Sequence, residues 1–125
     1  MPTQTTNPAT GEVIQTFTPH SDEEVDAFIH RSYSTFQAFR LKSFEDRGAL
    51  MENAASLLEE RADELGSIMT LEMGKTLTSA IAEVNKCAWV CRYYARTAAT
   101  HLAEGAVRLE TGYATLKYLP LGPIL

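Results

Sequence analysis

The chain has 125 residues, enough for one modest domain, and its 45% hydrophobic and 22% charged content argues against disorder over most of its length. Eleven Lys and Arg face 16 Asp and Glu, a formal charge of -5. The cations are dispersed among acids, which excludes an extended phosphate-binding face, so neither nucleic acid nor an anionic membrane is expected as a partner. No apolar run approaches the ~20 residues of a bilayer span.

The segment Met1 to Asn7 is polar and lacks the basic and apolar regions of a secretory signal. Two cysteines in such a chain read as reduced thiols of a cytoplasmic protein. Asn7-Pro8-Ala9-Thr10-Gly11 carries the residues that reverse a chain. The β-branched, partly alternating Glu12 to Thr18 predicts a short strand, one arm of a hairpin. Ser21 stands three residues before Glu24, the spacing of a capping box, and Asp22, Glu23 and Glu24 complement the helix dipole. A first helix is predicted from Asp22 to Leu41, with Val25, Phe28, Ile29, Ser32, Phe36 and Phe39 on one stripe.

Ser43 and Asp46 repeat the capping arrangement. The next helical stretch shows an apolar face of Leu50, Ala54, Leu57, Leu58, Leu65 and Ile68. Its acids, Glu52 and Glu59 among them, fall on the opposite face. A bend or break is predicted near Gly66, and Gly74 ends the element. Thr76 or Thr78 opens a third helical stretch. Its stripe of Leu77, Ile81, Val84, Ala88, Cys91, Ala95, Ala98 and Leu102 is the strongest periodic signal in the chain, and Gly105 closes it. Val107 to Glu110, Thr111-Gly112 and Tyr113 to Tyr118 read as a β-hairpin. Ile124 and Leu125 start another apolar run, whose ending reads as a truncation and is expected to leave apolar surface bare.

Few residues suggest chemistry. Gly74-Lys75-Thr76 resembles the end of a phosphate-binding loop, but Met69 stands where the signature needs Gly, and a helix precedes it where a strand should. Cys87 and Cys91 lie one helical turn apart. A tetrahedral metal would need two further ligands, and His20, His30 and His101 are scattered. Glu83, one turn before Cys87, opposes a thiolate. Both cysteines therefore read as small buried residues. Trp89, Tyr93 and Tyr94 read as aromatics packed on a neighbouring layer. No Ser-His-Asp set and no glycine-rich dinucleotide fingerprint is present.

Four segments carry a family resemblance. Asn7 to Val13 resembles the amino-terminal turn of aldehyde dehydrogenases. Thr70-Leu71-Glu72-Met73-Gly74-Lys75-Thr76 is similar to their LExGKP-like segment. Asn85 to Ala95 (NKCAWVCRYYA) resembles the third helix of bacterial succinate-semialdehyde dehydrogenases. Tyr118-Leu119-Pro120-Leu121-Gly122-Pro123-Ile124 is similar to the family's EPLGVV segment. The departures are Thr76, where Pro is common, and Pro123, where a β-branched residue is usual.

The resemblance implies the opening part of an α/β fold. The segment itself is mainly α, with three or four helices, an N-terminal β segment and a C-terminal β-hairpin. Residues 1–105 would be the helical part of the cofactor-binding domain, 106–120 a hairpin of the oligomerisation sheet, and 121–125 the start of the first dinucleotide-fold strand. The implied activity is an oxidoreductase that oxidises an aldehyde, such as succinate semialdehyde, with NAD or NADP, in a homo-oligomeric dimer or tetramer. The family's oxyanion Asn, cofactor fingerprint, general-base Glu and nucleophilic Cys lie beyond this segment's match. No catalytic or cofactor-binding residue is therefore assigned, neither cofactor nor metal is expected to bind the chain, and the isolated chain is expected to be inactive. Lys86 and Ala82 align with positions facing the family's substrate tunnel. The competing reading is a non-catalytic truncated product that acts only as a structural or interaction module.

Overall fold

The computed structural model describes residues 3–124, so Met1, Pro2 and the terminal Leu125 of the last apolar run lie outside the described residues. The chain opens with β1 (Thr3–Thr6) and β2 (Val13–Phe17), paired antiparallel from Thr3 opposite Phe17 to Thr6 opposite Val13. The connecting turn is fastened by Asn7: its side-chain oxygen accepts from the Ala9 amide at 2.9 Å and its carbonyl from the Gly11 amide at 2.8 Å. The sequence showed only one arm of this hairpin, because Thr3-Gln4-Thr5-Thr6 is polar throughout and carries no alternation.

Four helices follow: α1 (Asp22–Phe39), α2 (Phe44–Glu60), α3 (Ala62–Met73) and α4 (Leu77–His101). Both expected serine caps form. The Glu24 amide donates to Ser21 Oγ at 3.2 Å and the Ser21 amide donates to Glu24 Oε2 at 2.9 Å, a complete capping box. The Asp46 amide donates to Ser43 Oγ at 3.0 Å. The second helical stretch breaks at Arg61 (φ -103°, ψ 19°) and not near Gly66. Arg61 clasps Glu64 through two hydrogen bonds of 2.9 and 2.7 Å, which anchors the start of α3. Gly66 stays inside α3 because its lack of a side chain is needed there. A Cβ would lie 2.7 Å from Ile81 Cγ1 and 3.1 Å from the Ile81 amide nitrogen on α4. Gly74 ends α3 in the left-handed region (φ 69°), where a Cβ would also meet Pro8 at 2.9 Å. Helix α4 ends at His101 with Leu102 as its C-cap, short of the expected Gly105, which instead begins β3 (Gly105–Leu109). Strand β3 pairs antiparallel with β4 (Gly112–Leu116) across Glu110-Thr111, forming the expected C-terminal hairpin one residue earlier in its turn. Residues 121–124 form no helix or strand.

The core lies where α2 and α3 pack antiparallel on α4. Its buried apolar residues are Ala55, Ala62, Ala80, Val84 and Ala88. This corrects the expected face of the second stretch: Leu50, Leu57 and Ile68 are exposed, and the contact runs through Gly48, Ala55, Ala62 and Gly66. Steps of seven, seven and four make one seam of small residues, which lets the backbones approach closely. A Cβ on Gly48 would stand 3.0 Å from the Ala95 carbonyl oxygen. Glu52 and Glu59 belong to the same seam. They point to α4 and not, as the sequence suggests, to solvent on the far face. Arg92 donates to Glu52 at 2.6 Å and also pairs with Glu59, and Arg96 donates to Glu52 at 3.2 Å.

Candidate functional site

Helix α4 carries the side chains with the most chemical interest. Its inward stripe of Ala80, Val84 and Ala88 fixes the rotation of the helix on α2 and α3. That rotation turns Ala82, Glu83, Lys86 and Cys87 outward. With Lys75 and the half-buried Cys91 they line one open concavity of about 730 Å³. Ala82 and Lys86, singled out by the resemblance, thus share one face of α4, a single turn apart. Lys86 is exposed.

Lys75 and Glu83 form an ion pair across the start of α4. The glycine-lysine-threonine segment therefore joins two helices, not a strand to a helix, and its lysine pairs with a carboxylate. The expectation that both cysteines are buried fails for Cys87, which is exposed. The stripe that includes Ala88 and Cys91 leaves out Cys87, one residue before Ala88, which the helix turns outward.

The aromatic residues pack mainly on one another. Trp89 and Tyr93 stack with ring centroids 5.9 Å apart, and Tyr94 meets Tyr93 edge-on at 5.1 Å. All three are exposed, Trp89 at 63%, so among the described residues no neighbouring layer covers them. The histidines stay apart. His20 Nδ1 lies 3.4 Å from Glu24, His30 Nδ1 lies 2.8 Å from the Asp26 carbonyl oxygen, and His101 Nε2 lies 3.4 Å from the Tyr93 hydroxyl. Among the described residues no three His, Cys, Asp or Glu side chains converge as a metal site.

At the start of α1 and along the α2–α4 seam the charged groups are paired within the chain. Arg92 holds the Glu52 carboxyl below the usual carboxylate range, with Arg96 adding to the effect, and Arg92 is itself raised by Glu59 and Glu52. The Ser21 backbone amide, then His20, lowers Glu24. A dinucleotide would need free backbone N–H groups and free cations for its phosphates. Three of the four helix starts do not offer these groups. Acids occupy the first turns of α1, α2 and α3, and the Arg92 and Lys75 side chains are already paired. Thr76 makes no side-chain cap at α4, but the lysine beside it is the one Glu83 holds.

Comparison with known proteins accounts for the arrangement. No helix is long and apolar enough to cross a membrane among the described residues. A protein of Synechocystis sp. named "Probable succinate-semialdehyde dehydrogenase", NADP(+), is 50% identical over 121 residues, covering 97% of this chain and 27% of that protein. The NADP(+) succinate-semialdehyde dehydrogenase of Mycobacterium avium is 49% identical over 129 residues, covering 100% of this chain and 27% of its own length. The chain thus spans 27% of the length of these curated relatives. The crystal structure of succinic semialdehyde dehydrogenase from Streptococcus pyogenes, in complex with NADP+, superposes with a TM-score of 0.84 at 32% identity, covering 90% of this chain and 25% of that one. The sequence model of the Aldehyde dehydrogenase family matches residues 2–125. The chain therefore belongs to the aldehyde dehydrogenase family, and its helices and hairpins are the opening part of that family's fold.

Proposed function

We propose that these residues form the opening segment of an oxidoreductase that converts succinate semialdehyde to the carboxylic acid with NADP(+) as hydride acceptor. The observation that carries this reading is identity of 50% and 49% to two relatives of that name, spread over nearly the whole chain. The same names, and the Streptococcus pyogenes complex, favour NADP over NAD. The cofactor would be held by residues other than these. Residues 1–105 would then belong with the cofactor-binding domain, and 121–125 with its first strand. The hairpin 106–120, whose strands are exposed along nearly their whole length, would add to a sheet joining the subunits of a dimer or tetramer. Two free thiols fit a cytoplasmic enzyme.

Within that enzyme, Lys86 and Ala82 would face the substrate passage. The exposed ammonium of Lys86 supplies a charge suited to the carboxylate end of succinate semialdehyde, and the small Ala82 one turn earlier leaves room for the chain. A chimera tests both levels. Residues 1–125 replace the matching segment of the Synechocystis relative, and NADP-linked oxidation of succinate semialdehyde is measured. A folded, soluble chimera without turnover sinks the proposal. In an active chimera, Lys86→Gln should raise KM for succinate semialdehyde more than for an uncharged aldehyde of the same length. Equal changes for both would remove Lys86 from the passage. The purified 125-residue chain should show no turnover with either cofactor.

A further inference from the structure

We propose that Cys87 and Cys91 form a two-thiolate site for a soft cation that prefers linear coordination, with Cu(I) as the type. Both thiols are free, both border the same concavity, and four residues separate them on an unbroken 25-residue helix. Side chains four apart on a helix have Cβ atoms roughly 5–6 Å from each other. That is too wide for a disulfide, whose Cβ atoms need about 3.5–4.5 Å. It suits an ion held between two sulfurs, since two metal–thiolate bonds of roughly 2.3 Å place the sulfurs about 4.6 Å apart. The helix therefore disfavours internal oxidation of the pair while presenting it at a bridging distance.

Ligand number selects the class of ion. Among the described residues no third His, Cys, Asp or Glu joins the pair, so an ion demanding four protein ligands is not served. Soft thiolates select Cu(I), for which two are enough. Charge favours the same outcome. Two thiolates around a monovalent cation carry one net negative charge, and the exposed Lys86 borders the same concavity. Glu83 would oppose thiolate formation from one turn away, but Lys75 neutralises it in an ion pair. The binding step balances without a redox partner. Two S–H bonds break, two S–Cu bonds form, two protons pass to solvent, and copper stays Cu(I). The site does not depend on the proposed dehydrogenase activity.

The test is anaerobic titration of the reduced 125-residue chain with Cu(I) against a chromogenic Cu(I) chelator, with native mass spectrometry for stoichiometry. One ion per single chain is expected, with affinity rising with pH because protons are released. Cys87→Ser and Cys91→Ser should each weaken binding about 100-fold, the loss of a chelate's second, intramolecular contact. Cys91→Ala serves as a second variant should serine disturb the half-buried position, with helix content followed by circular dichroism. Single-cysteine variants that bind as tightly as the parent, or an ion shared between two chains, would overturn the site.

Discussion

Helices α1 and α4 both announce an amphipathic helix in sequence, and only one of them is packed. Helix α4 buries Ala80, Val84 and Ala88 against α2 and α3. Helix α1 buries no residue, and Val25, Phe28, Ile29 and Phe39 on its apolar stripe are exposed. Phe28 and Phe36 instead sit beneath arginines, with the Arg31 guanidinium 5.1 Å from the Phe28 ring centre and that of Arg40 5.5 Å from Phe36. An apolar stripe thus states that a helix can bury a face, and a second, shape-matched surface decides whether it does. Here the match comes from small residues, because alanines and glycines let helix axes approach where leucines hold them apart.

The largest effect should come from filling that seam. Gly66→Val places a branched side chain where even a Cβ lies 3.1 Å from the Ile81 backbone nitrogen. A flexible tip can move aside, but backbone cannot, so urea unfolding should show a loss of about 3 kcal/mol. A variant within ~0.5 kcal/mol of the parent would mean that α3 and α4 are not in close contact.

A pair of truncations sets the two helices side by side. Val84→Ala removes two buried carbons from α4 and should cost about 2 kcal/mol. Ile29→Ala removes three carbons from α1, but Ile29 is 48% exposed, so its cost should stay within about 0.5 kcal/mol. Equal losses would break the comparison and show that α1 is docked.

The charged part of the seam gives a smaller effect with a pH signature. Arg92 lowers Glu52 from its ordinary value of 4.5, so the folded state holds that proton less tightly than the unfolded chain. The resulting stability is present above pH 4.5 and is lost as pH falls through the depressed value. Arg92→Gln should therefore lower the thermal midpoint at neutral pH and converge on the parent in acid. A constant difference across the pH range would show that Arg92 acts by packing alone.

How much of this was legible in sequence follows from the range of each interaction. Ser21 with Glu24 and Ser43 with Asp46 are local, and both caps form as their spacing predicts. The α4 stripe survives because its period is sustained; only its end residues, Leu77 and Leu102, are exposed. Propensity alone marks Gly66 as a weak point, yet a contact with Ile81, 15 positions away, makes it a packing residue. Charge alone assigns Glu52 and Glu59 to solvent, while Arg92, more than 30 positions on, draws them to the seam. Only the family resemblance singles out Ala82 and Lys86, because a small residue and an exposed lysine carry no chemical signature of their own. Cys87 and Cys91 are visible in sequence as a pair, but which of them faces outward depends on the rotation of α4.

The smallest global effect should come from Ser21→Ala, and it tests the comparison most sharply. The substitution removes the Oγ acceptor for the Glu24 amide and unties the reciprocal carboxylate bond to the Ser21 amide. Loss of such a cap costs roughly 1 kcal/mol of helix stability. In a helix coupled to the core, that cost would appear in the global unfolding transition. Helix α1 shares no broad contact with α2, α3 or α4 among the described residues, so fraying its first turn leaves the seam intact. Amide hydrogen exchange should then accelerate several-fold across Asp22 to Phe28 while protection in α4 is unchanged. A matching acceleration at Val84 and Ala88 would mean that α1 unfolds together with the bundle, and that its exposed stripe is nonetheless energetically coupled to the core.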